Sequence, residues 1–133
     1  MLKPFLPTDT PARSTLLAFL ERVKDDREHG ITFIHTADKE LTLSYRDFYR
    51  EAGSALHYLR SRGLPAGCEV ILAIEDTRMF LVTFWACLLG GIIPVPLPAG
   101  YQEEHKHKFR NAWDTLADPY LACEAPYYSR LEE

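Results

Sequence analysis

The residues able to do chemistry are few and widely separated. Gly90-Gly91 is the only glycine pair, so it is the first place to look for a phosphate cradle. Such a cradle needs a glycine-rich loop whose backbone N–H groups converge on the anion. No Lys-Ser or Lys-Thr follows the pair, and a helix stop that lets the next strand pack closely accounts for it better. His105 and His107 stand two apart in a segment that reads as helix. They point to different sides, which suits solvated side chains and not a pair of metal ligands. Lys106, Lys108 and Arg110 make a local basic cluster, but Glu103 and Glu104 lie one turn ahead. Glu104 and Lys108 have helix-stabilising spacing, so the cluster reads as a solvated face and not as a nucleic-acid site. Cys87 sits in an apolar run and reads as a core thiol. Cys68, in a turn, is open to being exposed and reactive, although no cation beside it in sequence would lower its pKa. His35 and His57 have no nearby nucleophile, and no Gly-x-Ser-x-Gly elbow occurs. Tyr45 and Trp85 read as packing residues. The sequence therefore nominates no catalytic, cofactor-binding or metal-ligating residue.

The bulk properties narrow the class. The chain has 133 residues, 47% hydrophobic and 26% charged, an ordinary globular composition with room for one domain or part of one. A net charge of −4 gives no general attraction to nucleic acid. Three widely spaced cysteines (Cys68, Cys87, Cys123) form neither a disulfide framework nor a zinc pattern, and suit a reducing cytoplasm. No apolar stretch follows the first residues before Asp9 and Arg13, so no signal peptide is expected. Residues 79–101 carry no charge and are long enough to raise the question of a membrane span. Gly90-Gly91 in the middle and Pro94, Pro96 and Pro98 beyond break that run, so a buried helix followed by a strand is expected.

The elements that would position these side chains follow from hydrophobic period and punctuation. Residues 1–9 read as a loosely ordered lead-in. Thr10-Pro11 is a good helix start, with Leu16, Leu17, Phe19, Leu20 and Val23 as the apolar stripe of a helix over residues 10–29 and Gly30 as its stop. Residues 31–36 and 41–43 read as a hairpin about a turn at 37–40. Ser44, with Asp47 three residues on, caps a helix whose inner face is Phe48, Ala52, Ala55, Leu56 and Leu59, with Arg50, Glu51, Arg60 and Arg62 in water. Gly63 ends it. Residues 70–74 form a buried strand, Glu75-Asp76-Thr77 start a helix that is apolar all round, and residues 92–97 form a second extended segment. Two strands joined by such a helix predict a parallel βαβ unit inside a larger sheet. A helix over residues 103–116 should turn Phe109, Ala112, Trp113 and Leu116 inward. Residues 120–123 read as another buried strand, and 124–133 as a truncated helix.

The order of these pieces resembles the amino-terminal part of the adenylate-forming superfamily, which includes acyl-CoA synthetases, fatty acyl-AMP ligases and adenylation domains of nonribosomal peptide synthetases. Leu43-Ser44-Tyr45-Arg46-Asp47-Phe48 is similar to that family's first core motif. Leu88-Leu89-Gly90-Gly91-Ile92-Ile93-Pro94-Val95-Pro96-Leu97 is similar to its second, where a helix ends in glycine and a strand ends in Val-Pro-Leu. Gly63, Gly67 and Val70 match the linker between the two. The likeness spans residues 30–123. Arg46 and Asp47 shift the first motif's acidic position, and Pro94 adds an early proline to the strand. The family's Ser/Thr/Gly-rich phosphate loop, adenine-binding segment, ribose-binding aspartate and carboxy-terminal lysine have no counterpart in these residues.

The resemblance implies an α/β fold: a partial parallel-sheet layer with flanking helices and an N-terminal β-hairpin, in a single incomplete domain over residues 1–133. It implies a ligase that activates a carboxylic acid with ATP and magnesium to an acyl-AMP and hands the acyl group to a thiol. This chain would be its structural front lobe, inactive alone and holding no cofactor. The alternative is a non-catalytic scaffold or interaction module built on the same lobe. The expected partners are the remainder of the ligase or a complementing chain, with no nucleic acid and no membrane. Either way Met79, Phe80, Phe84, Trp85 and Leu88 cannot all be covered by two amphipathic helices and a hairpin. The uncovered surface or a strand edge should then drive self-association, most simply as a two-fold dimer.

Overall fold

The computed structural model describes residues 15–131. Thr15 caps helix α1 (Leu16–Val23), its Oγ1 accepting the Ala18 N–H at 3.1 Å. The expected start at Thr10-Pro11 lies outside the described residues. The helix expected to reach residue 29 ends at Val23. The Asp26 carboxylate then accepts the N–H groups of Glu28 and His29 at 2.8 and 2.9 Å, a turn that competes with further helix. Gly30, expected as a helix stop, is instead the first residue of strand β1 (Gly30–Thr36), paired antiparallel with β2 (Lys39–Ser44). The turn is Ala37-Asp38, shorter than expected.

Ser44 caps α2 (Tyr45–Ser61) as its spacing predicts: its Oγ accepts the Asp47 N–H at 3.1 Å and donates to the Asp47 carboxylate at 2.9 Å. Phe48, Ala52, Leu56 and Leu59 are buried along one face. Arg50, Arg60 and Arg62 face water. Glu51 does not: it accepts from the Arg78 guanidinium in a partly buried pair that ties α2 to α3, a contact between residues too far apart in sequence to be read there.

The βαβ unit forms as the pattern predicts. Strand β3 (Glu69–Ala73) leads through Glu75-Asp76 to α3 (Thr77–Gly90), and β4 (Ile93–Pro96) returns parallel to β3. After α4 (Glu103–Thr115), β5 (Tyr120–Cys123) pairs parallel on the other side of β3, followed by α5 (Ala125–Leu131). The order β4-β3-β5 puts the most apolar strand in the centre. Both of its faces are covered, since the alternating residues Val70, Ile71, Leu72 and Ala73 are all buried. Leu56 and Leu59 of α2 and Ala86 and Cys87 of α3 pack with Val70 and Leu72 in one core. A second core joins Leu20 and Val23 of α1 to Phe48, with Leu81, Val82 and Trp85 of α3 against it.

The cover is incomplete where the composition of α3 says it must be. Met79 is 50% exposed, and Phe80, Phe84, Trp85 and Leu88 are only half-buried. Helix α4 departs from expectation. None of its residues is buried, Trp113 is 41% exposed, and Leu116 lies past the helix as its C-terminal cap. Phe109 stacks on Trp113 at 5.8 Å between ring centroids. This apolar stripe is set for packing, and the described elements cover it only in part: Phe109 and Ala112 are half-buried, and Phe109 lines a small concavity with Arg130 and Leu131 of α5. Among the described residues, no helix is long and apolar enough to cross a membrane.

Candidate functional site

In open parallel sheets, ligands bind beyond the carboxyl ends of the strands. Here those ends are joined by Glu124. Its carboxylate, just past β5, accepts the N–H groups of Glu75 and Asp76, just past β3, at 3.1 Å each. Asp76 in turn caps α3, its Oδ1 accepting the Met79 N–H at 2.7 Å. Between this junction and the hairpin lies a concavity of about 470 Å³ lined by Phe33, His35, Glu75, Asp76, Leu81 and Glu124 among others. No lysine or arginine lines it. A triphosphate brought here without a metal ion would meet carboxylates and no side-chain cation, so the concavity has no lysine or arginine to hold the phosphates. Sequence inspection missed Glu124 because its two partners lie 48 and 49 positions away.

Gly90-Gly91 does not form a phosphate cradle either. Gly91 adopts the left-handed conformation (φ 65°) that ends α3. The Gly91 and Ile92 N–H groups return to carbonyls of that helix, those of Leu88 and Cys87. Gly90 is buried against Leu56. The backbone donors of the turn are thus committed to ending the helix and starting β4.

The other residues weighed for chemistry stay apart. His107 meets Asn111 at 3.3 Å. His105 is half-buried, with its ring against Gly100. Lys106 pairs with Glu103 at 3.5 Å and Lys108 with Glu104 at 2.6 Å. The Lys108 hydrogen bond holds the Glu104 carboxyl below its usual range. His57 is exposed on α2. Tyr45 packs edge-on to Phe19 at 6.2 Å, and Trp85 packs into the second core. Among the described residues, no group of three or more His, Cys, Asp or Glu is arranged to hold a metal ion.

Burial holds the thiols toward their protonated form where reactivity was open. Cys68 is half-buried against the first core, and burial pushes its pKa up. Burial also pushes the Cys87 thiol up, to about 11 from its ordinary 9.0. The fold therefore favours the protonated thiol. Its contribution to stability is complete below pH 9 and falls as pH rises from there toward about 11, where the folded form also ionises. At neutral pH, a thiol reagent should modify Cys87 only at the rate at which the core opens, and denaturant should abolish the protection. Prompt modification of Cys87 in the folded protein would contradict its burial.

A second concavity, about 660 Å³ and mainly apolar, opens between α2, α3 and β5, with Tyr58, Met79, Tyr120, Leu121 and Tyr128 in its lining and Arg62 as its cation.

An antiparallel hairpin, a capped helix and a three-stranded parallel sheet in this order are similar to the N-terminal lobes of solved adenylation domains. The family model for AMP-binding enzymes matches residues 20–112, and the chain belongs to that family. It is similar to the adenylation and carrier-protein segment of McyG solved with phenylalanyl-adenylate: TM-score 0.79 and 34% identity over 87% of this chain and 19% of that one. It is likewise similar to the adenylation domain of a keto acid-selecting nonribosomal peptide synthetase module bound to keto acyl adenylate, with TM-score 0.78 and 28% identity over 89% of this chain and 23% of that one. Indigoidine synthase of Dickeya dadantii (strain 3937) is 33% identical over 66 residues, which is 50% of this chain and 4% of that protein. The chain thus spans about a fifth of the solved relatives and a far smaller share of this curated one.

Proposed function

We propose that this chain serves as the structural front lobe of an adenylate-forming ligase of the nonribosomal peptide synthetase type. The complete enzyme would use ATP and magnesium to convert a carboxylic acid to an acyl-AMP and pass the acyl group to a thiol. The lobe supplies β3, β4, β5 and their helices as a wall of the domain. Nucleotide, magnesium and acid would be held by polypeptide that completes the sheet, whether continuous with this chain or separate. The observation that carries the reading is the likeness to the McyG adenylation segment, with a TM-score of 0.79 over 87% of the chain. The carboxylate-lined junction at Glu124 and the committed donors of Gly91 and Ile92 support a purely structural role for these residues.

Calorimetric titration of the chain with ATP and magnesium tests this. The expected result is no saturable binding up to millimolar nucleotide, a free energy weaker than about −4 kcal/mol. Binding in the micromolar range would place a nucleotide site within this lobe and overturn the proposal.

A further inference from the structure

We draw no further inference here: the strongest candidate, the small concavity between α4 and α5 lined by Lys106, Arg110 and Arg130, adjoins the last described residues, and nothing in the structure shows what covers it.

Discussion

Phe48→Ala should lower the unfolding free energy by about 3–5 kcal/mol, the usual cost of removing a fully buried aromatic ring and leaving its space partly unfilled. Phe48 is 1% exposed and lies where four elements meet. Leu20 and Val23 of α1, Ile31 of β1 and Leu81, Val82 and Trp85 of α3 pack with it in one cluster. Few other contacts fasten α1 to the rest, apart from the Tyr49 hydroxyl donating to Glu21 at 2.8 Å. The truncation should therefore loosen α1 along with the overall fold. A domain of this size commonly has only about 5–15 kcal/mol of stability, and this one leaves α3 and α4 partly bare, so much of the total is at risk. Urea unfolding of the two proteins measures the effect. Phe48→Leu, which keeps most of the apolar volume, should lose less than half as much. A shift below about 1 kcal/mol for the alanine variant, which is typical of a surface substitution, would mean that the α1–α2–α3 cluster is not packed as described.

Legibility in this chain follows the range of the interactions involved. The hairpin, the Ser44 cap, the βαβ unit and the Gly91 stop are each set by residues within a turn or a strand of one another, so periodicity and punctuation disclose them. Helix α3 could be recognised as a shared element because it is apolar around its whole circumference, and both cores indeed draw on it. Helix α4 shows the limit of the same logic. Its apolar spacing at Phe109, Ala112 and Trp113 signals a face made for burial, but a periodic stripe cannot say whether the covering surface lies in the same polypeptide. The contacts that were illegible are those closed over long separations: Glu124 with the β3–α3 junction, and Glu51 with Arg78. A glutamate in a loop and an arginine at the start of an apolar helix look like solvated charges until the fold brings their partners to them.

The same distinction separates the motif residues from any chemistry. The two stretches that carry the family likeness, residues 43–48 and 88–97, are scaffold in this structure. Ser44 caps a helix, Phe48 fills a core, Gly91 ends a helix and Pro94 and Pro96 close a strand edge. A resemblance built on such residues reports how the sheet is assembled and not what reacts on it. This is why the fold could be read from the residues while the acid substrate could not.

Gly30→Ala should destabilise the chain by about 1–3 kcal/mol, the range for forcing extra volume into a filled position, whereas Gly53→Ala should stabilise it by up to about 1 kcal/mol. The contrast isolates why Gly30 is glycine. A Cβ there would overlap the Leu43 carbonyl and crowd the Ser44 Cα. These are backbone atoms, which cannot rotate aside as a side chain would. Gly30 stands opposite Ser44 in the hairpin register, and Ser44 is also the cap of α2. Any displacement of β1 is thus passed to the start of the helix that carries Phe48. Gly53, exposed on α2, has nothing within 4 Å of the corresponding Cβ position, so alanine there only reduces the freedom of the unfolded chain. Denaturation midpoints of the two variants give the signs, and amide exchange along β1 and β2 should show faster opening for Gly30→Ala alone. Equal stability for Gly30→Ala and the parent would mean that β1 and β2 do not approach this closely at their base, and the helix-stop reading of Gly30 would regain its claim.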